Sequence, residues 1–550
     1  MQETSSSKNL ALAIVLCLAV LFGWSFFAEY MGWVAKPDPE VVAQQQAEAE
    51  KAKQEKAEAE KARTSVPLTV FAPVPGRDIV ISTPLYEAVI HSGGGVVRSF
   101  RLKHYDATIR PDSPLVNLVD PVTAESAPLG LVIDGAASWS LGQWAVEAAP
   151  EGPLAAGQSG VLRLVGEVNG LRVVRELQFS ADSYLIKEKT SLAPLGEQTR
   201  SARLAYTVAS DASNAGGGQY DAMRIAWYLD DSLGQEADAE DLTKGVTATG
   251  NVSWAGPMST YFLSAILPGK TDGVTVKGLL RGGVYRVAVE EQDIQLTPGK
   301  TTDLEVAYWL GPKKRKLLME VSEPLAGSVE LGMFSIIAKG LLWLLEFFHQ
   351  YVNNWGLAII LLTVLIKAVF WPLTAKSYAS MEKMKKLQPM MMNIREKYKD
   401  NKEMMNKEVM ALYKTYGVNP ASGCIPILVQ LPVFFGLYQA LLTAIELRHA
   451  TFIELLPFTD KLWLADLSSK DPFYITPIIM GLTMFLQQRM SPPPTDPTQQ
   501  KVMMFLPLIF TVLFLGFPSG LVLYWLVNNI LSIAQQGLMH RKNRRLDADS

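Results

Sequence analysis

Lys367 is the only charge in LLTVLIKAVFWPL, residues 361–373. A cation at the centre of a membrane-length helix costs about 2.5–3.5 kcal/mol even on lenient insertion scales. Two readings follow. The lysine stem can snorkel, because Pro372 lies five residues on, about 7 Å at about 1.5 Å per residue, within reach of an interface. Alternatively the ammonium faces a water-filled cavity, the usual setting of an unpaired intramembrane cation. Thr363, four residues earlier, shares its helix face and favours a wet face. No Asp or Glu lies in the middle of any apolar run to neutralise Lys367.

Other apolar runs also carry polar stripes. Trp525, Asn528, Ser532 and Gln535 recur at i, i+3, i+7 and i+10, with Tyr524 and Asn529 beside them. Gln430 and Gln439 lie in a second run, and Gln487 and Gln488 end a third. Hydrogen bonding between spans explains such residues without any function. A hydrated groove that holds Lys367 explains both the stripes and the lysine.

A third group is methionine-rich. Met384, Leu387, Met391, Ile394 and Tyr398 have heptad spacing, which Met405, Val409, Leu412 and Tyr416 continue after KDNK. A two-helix hairpin follows, with these residues as its seam. Met384, Met391 and Met405 are also candidates for adaptable docking of varied apolar segments. No nucleotide, zinc or hydrolase motif is present, and Cys17 and Cys424 imply neither a disulfide framework nor a metal site. His91 and His104 pair with no carboxylate by spacing, so the sequence offers no catalytic residues, cofactor or metal ligands.

These groups need elements to hold them. The chain has 550 residues, 49% of them hydrophobic, and a net charge of -3 that favours neither nucleic acid nor an acidic partner. Residues 9–28 are uncharged and long enough to cross a core of about 30 Å, without a small-residue cleavage site. They predict a retained anchor over 1–30, followed by a charged linker over 31–63. Residues 64–325 carry alternating runs such as DIVIS, VVRELQF, VYRVAV and DLEVAYW, separated by glycine-rich turns. That pattern predicts a large all-β sandwich. Over 331–350, Ser335, Lys339, Glu346 and Gln350 form a polar stripe that predicts an interfacial helix, with a span as the alternative. Spans are expected at 354–374, 424–447, 473–489, 502–517 and 520–539, with the hairpin at 375–420. FPSG, 517–520, breaks the last charge-free stretch. The fold class is a polytopic α-helical membrane protein of six spans with a large extracytoplasmic β-domain.

Orientation follows from the basic residues. The 375–420 loop carries ten lysines and arginines, and HRKNRR at the C-terminus adds four. The 446–472 loop has three against five acidic residues. Both termini and the hairpin are therefore expected in the cytoplasm, and the β-domain outside.

The order of anchor, outer β-domain, NNWGLAIILLTVLIKAVFWPL, SYASMEKMKKLQP, GVNPASGCIPILVQLPVFFGLYQ and QQKVMMFLPLIFTVLFLGFPSGLVLYWLVNN resembles the YidC family of membrane-protein insertases. The resemblance is specific over 330–540 and architectural, with local motifs such as IHSGGGVV, over 64–325. It implies a bacterial inner-membrane protein with a five-helix core around a hydrophilic groove, open to the cytoplasm and to lipid. In that family a positive groove residue attracts the polar, often acidic, tail of an arriving membrane protein. The family usually has arginine where this chain has Lys367, so the charge remains while the planar bidentate fork is lost. By the same resemblance Thr363 and Trp525 contact substrate; the polar residues Tyr524, Asn528, Gln430 and Gln487, read from their own runs, are the further groove candidates. The implied partners are newly made membrane proteins, the lipid bilayer, the Sec translocon and, through the basic tail, the ribosome. Three alternatives remain at this stage. They are an assembly scaffold without autonomous insertion, a solute transporter, and an anchored carbohydrate enzyme. A transporter calls for paired intramembrane carboxylates, and an enzyme for a catalytic pair in the sandwich.

Overall fold

The computed structural model describes residues 75–140, 144–211, 222–399, 401–418, 425–490 and 497–548. The anchor and linker expected at 1–63, Cys17 and Cys424 lie outside them.

Asp78 to Pro312 form three antiparallel sheets. The largest has nine strands. In spatial order they are Ser232–Glu236, Arg224–Leu229, Val252–Met258, Phe262–Pro268, Thr302–Pro312, Leu185–Pro194, Leu171–Ser180, Ser159–Val168 and Trp144–Ala148. A six-stranded sheet lies against it, with Val252–Met258 and Phe262–Pro268 packed on Arg200–Asp211 and Val284–Leu296. Four strands between Asp78 and Val119 make the third. Alternation explains the core. In Thr302–Pro312, Val306 and Tyr308 are buried while Asp303 and Glu305 face solvent.

One buried charge pair ties this core together. Arg175 donates to both oxygens of Glu188 at 2.6 and 2.7 Å, and to the carbonyls of Gly94 and Leu129 at 2.5 and 2.7 Å. Thr190 and Tyr308 donate to the same carboxylate at 2.9 and 3.0 Å. Burial opposes the Arg175 charge, yet Glu188 beside it holds the guanidinium above its ordinary range. Within IHSGGGVV, the glycines make this contact possible. Gly94 and Gly95 take φ of 97° and 72° to turn the Gly94 carbonyl towards Arg175, and a Cβ on Gly94 would meet the Trp139 backbone at 2.8 Å.

Two short helices, Arg315–Val321 and Glu323–Ala326, lead to seven longer ones. We label these α1 (Ser335–Val352), α2 (Trp355–Lys397), α3 (Lys402–Thr415), α4 (Ile425–Thr443), α5 (Ile475–Met490), α6 (Pro497–Phe514) and α7 (Ser519–Ala548). α2 packs on α7 and α1, α5 on α7 and α6, and α4 on α1. Asn354 caps α2 by accepting from the Leu357 amide at 3.0 Å. α2 runs 43 residues, about 65 Å at about 1.5 Å per residue, through Pro372 and Pro389. The expected span and first hairpin arm are thus one continuous helix.

Among the described residues, α2 alone is long and apolar enough to cross a membrane by composition, while Val429–Thr443 and Met503–Phe514 are shorter apolar stretches. α7 carries both a polar seam (Asn528, Asn529, Ser532, Gln535 and Gln536) and the charged end HRKNRR, which together keep its mean hydropathy low. The exposed side of α1 differs from a charged stripe: it carries Ile336, Trp343 and Tyr351 as well as Lys339 and Gln350. Its opposite side, Ala338, Leu341, Leu342 and Leu345, is buried, and Glu346 is half-buried near Lys314 and Lys316.

Candidate functional site

The site is built on two facing helices. α2 presents Thr363, Lys367, Thr374 and Ser377 at helical spacing, and all four are buried. α7 presents Ser532 and Gln535 towards them, and Asn528 and Tyr524 towards Gln430 of α4. Lys367 is 9% exposed, and its Nζ donates to Ser532 Oγ at 2.7 Å. Its ammonium therefore points inward to α7, not out to the interface as snorkelling would require. Ser532 in turn donates to the Asn528 carbonyl at 2.7 Å, which fixes its oxygen as the acceptor for Lys367. Among the described residues no carboxylate pairs with Lys367. An ammonium has three donors, so the serine leaves capacity for water or a ligand anion.

The seam extends in both directions. One turn above, Gln430 Nε2 of α4 donates to Asn528 Oδ1 at 3.3 Å, and Gln430 also hydrogen-bonds Tyr524. Towards the hairpin, Gln535 Nε2 donates to Thr374 Oγ1 at 2.7 Å, while the buried Gln535 Oε1 has no partner. Thr363 Oγ1 donates to its own helix at Ile359 O, 2.7 Å. On the other side of α7, Asn529 reaches Thr483 of α5 at 3.4 Å. This row of polar groups between helices holds one ammonium and offers hydrogen bonds to a polar ligand, and these residues include no nucleophile–base pair.

Not every expected residue joins the row. Trp525 packs its ring against Phe434, Phe510 and Phe514, with centroids 4.8, 6.1 and 5.1 Å away, so it wedges α7 against α4 and α6. Gln487 is half-buried on α5, one turn beyond Thr483. Met391 and Leu387 are buried in the hairpin, where α2 meets α3, and Met384 and Met405 are half-buried. Thr374, Ser377 and Thr483 were missed. Thr374 is seven residues from Lys367, on the same helical face, and that spacing could have found it.

Each end of the bundle is distinct. On the β-domain side, the segment from Ala444 to Tyr474 covers the helix ends. Arg448 donates to the carbonyls of Asp106 and Ala107 at 2.8 and 3.3 Å and lies over Phe262. Buried Asp471 accepts from the Thr476 amide and hydroxyl at 2.7 and 2.8 Å and from Trp463 Nε1 at 3.1 Å. Ser519 donates to Asp466 O at 3.0 Å and seals the start of α7. At the far end, a cavity of about 160 Å³ opens between α2, α5 and α7. Its lining includes Met381, Glu382, Met490, Met539 and His540, with His540 Nδ1 3.1 Å from Glu382 Oε1.

Residues 347–546 match the family model described as 60Kd inner membrane protein, and residues 78–344 match that of the YidC periplasmic domain. A relative from Nitratidesulfovibrio vulgaris (Miyazaki F), named membrane protein insertase YidC, is 56% identical over 98% of this chain and 99% of its own. Relatives of the same name from Lawsonia intracellularis and Geotalea daltonii are 50% and 35% identical over 97% of this chain and 99% of theirs. A crystal structure of an active YidC insertase covers 85% of this chain and 96% of its own at 18% identity, with a TM-score of 0.34. A putative aldose 1-epimerase from Escherichia coli covers 43% of this chain and all of its own at 13% identity, with a TM-score of 0.30.

Proposed function

The chain belongs to the YidC family of membrane protein insertases, and from that membership we infer how its polar seam performs insertion. The protein is an inner-membrane insertase with a periplasmic domain. In this reading α2, α4, α5, α6 and α7, with the N-terminal apolar stretch, are the six spans, and both termini are cytoplasmic.

The seam between α2 and α7 is the floor of a hydrophilic groove. A polar tail entering from the hairpin side meets water and hydrogen-bonding side chains instead of hydrocarbon, which lowers its desolvation cost. Lys367 attracts acidic tails by charge. One neutral acceptor, Ser532, holds the ammonium and leaves its charge uncompensated, and this is the observation that carries the reading. A lysine is a point charge without a planar fork, so recognition would be diffuse rather than two-point. The covering segment 444–474 closes the groove towards the periplasm, and the substrate's apolar segment leaves sideways into lipid, driven by hydrophobic partitioning. The methionine seam and the cavity at Met381, Met490 and Met539 offer adaptable contacts to arriving segments. The Sec translocon and the ribosome, the latter through the basic tail, remain proposed partners; deleting the tail and finding ribosome co-sedimentation unchanged removes the second.

The test is insertion of single-span substrates into liposomes that contain only this protein, scored by protection from external protease. A series with zero, one or more acidic residues in the translocated tail is run with the parent and with Lys367→Leu. The groove reading expects the parent's advantage to grow with acidic residues and to vanish in the variant. Equal dependence in both would remove Lys367 from recognition.

A further inference from the structure

The segment that covers the periplasmic helix ends carries a hairpin that nothing above uses. Phe452 and Ile453 donate their amides to Leu464 O at 2.9 and 3.4 Å, Trp463 N donates to Glu454 O at 3.0 Å, and Leu456 N to Lys461 O at 2.9 Å. Leu455 and Leu462 form the bridge between its arms. Thr459 N and Oγ1 both return to Leu456 O, at 3.0 and 2.9 Å, and close the tip. This is a braced finger. Its tip is apolar: Leu455, Pro457 and Phe458 are exposed, and Phe458 is fully so, with φ at 67°. Glu454, Asp460 and Lys461 stand on its shoulders.

A tight turn that holds a bare phenylalanine in the left-handed region spends backbone strain to keep that ring outward. Soluble turns favour asparagine or glycine there. What the finger meets follows from where it is fixed. Phe452 O accepts from Asn354 Nδ2 at 3.1 Å, at the cap of α2. Trp463 Nε1 reaches Asp471, and Lys461 lies 6.0 Å over Phe473, both just before α5. Phe458 lies six positions after Phe452, so it stays within about 20 Å of that residue at about 3.3 Å per residue. Just inside the start of α5, Ile478, Ile479 and Leu482 are exposed and apolar on the helix itself. An apolar tip between charged shoulders, on a finger whose base is fixed at the ends of two spans, is the pattern of an interfacial anchor.

We propose that the Leu455–Phe458 tip inserts into the outer leaflet of the phospholipid bilayer, as a wedge beside the periplasmic end of the groove. The proposal rests on α2 and α5 being spans. Wedging loosens acyl chains where a translocated tail must emerge, and it fixes the depth at which the bundle sits.

The test is collision accessibility of nitroxides on single cysteines in the full chain, with Cys17 and Cys424 replaced by Ser, in phospholipid vesicles. Labels go on Phe458→Cys, Leu455→Cys, Asp460→Cys and, as the reference for lipid, Leu482→Cys. The expected result is an oxygen-to-nickel-chelate accessibility ratio several-fold higher at 458 and 455 than at 460, matching 482. Three results overturn the proposal. If 458 matches 460, the tip stands in water. If 458 is immobilised and shielded from both reagents, a protein surface covers it. If 482 itself is open to the nickel chelate, the span reading of α5 fails first and takes the wedge with it.

Discussion

Lys367 Nζ and Ser532 Oγ stand 2.7 Å apart across 165 residues of chain, and Ser532 is oriented by its own bond to Asn528 O. This contact positions the charge without cancelling it. Lys367→Arg retains the charge, so insertion of an acidic-tailed substrate is expected within a few-fold of the parent. Ser532→Ala removes a neutral acceptor that water can replace. It is expected to reduce insertion by less than about tenfold, a barrier change under about 1.4 kcal/mol. A larger loss in Ser532→Ala than in Lys367→Leu, measured by protease protection, would make the serine the contact group and contradict the order of roles.

Glu188 accepts four charge-assisted or hydroxyl hydrogen bonds in a site with no water access. Glu188→Ala leaves Arg175 buried and uncompensated, a loss of about 3–5 kcal/mol. Thermal unfolding of the purified protein, followed by circular dichroism of the β-signal, should shift down accordingly. The double change Arg175→Met with Glu188→Leu removes both charges and should recover much of that loss. A double variant as unstable as the single would mean that the carbonyls of Gly94 and Leu129, not the charge pair, dominate the site.

How far could the sequence see these contacts? Helical spacing places Thr363 with Lys367, and Asn528 with Ser532 and Gln535, because faces repeat every 3.6 residues. Which faces meet is a long-range fact that no local pattern holds, so the Lys367–Ser532 and Gln535–Thr374 pairs appear only in the fold. Thr374 is the last residue of the expected 354–374 span, where a threonine reads as part of the span's polar end, whereas α2 continues through it and keeps it on the buried face. In the β-domain, alternation places Arg175 on the inward face with Val173 and Leu177, a signal the sequence holds. Its partner Glu188 comes from the next strand of the same sheet, and Gly94 from a turn 81 residues earlier in the chain. Trp525 was assigned by resemblance, and its packing among Phe434, Phe510 and Phe514 follows from helix neighbours that spacing does not specify.

His449 lies beside Arg448 in the covering segment, and its amide donates to Asp466 Oδ1 at 3.2 Å. Burial lowers its proton affinity and Arg448 lowers it further, against the pull of Asp466 and Asp106. A histidine whose folded value lies below the unfolded one, about 6.5, contributes stability above that pH and loses it as pH falls below. The 444–474 segment is therefore expected to become more protease-sensitive between about pH 7 and pH 5. His449→Gln should flatten that dependence. An unchanged slope in the variant would assign the acid response elsewhere.

Gly481 of α5 faces α6 so closely that an added Cβ would lie 1.9 Å from Thr511 Oγ1 and 3.1 Å from its Cβ. Thr511 has already turned its hydroxyl back to Pro507 O at 2.7 Å, so it has little room to move. Small residues at such crossings let helix backbones approach in lipid, where packing rather than the hydrophobic effect holds helices together. Gly481→Ala should therefore cost about 1–3 kcal/mol as an overpacked contact. Thr511→Ala alone removes a hydroxyl whose bond is local, at about 1 kcal/mol or less. Combined, the two alanines should be more stable than Gly481→Ala alone, a favourable coupling of about 0.5–3 kcal/mol. Thermal unfolding of the four proteins in detergent measures the cycle. Additive losses would mean that the α5–α6 contact yields by helix separation, and that Thr511 does not set the distance.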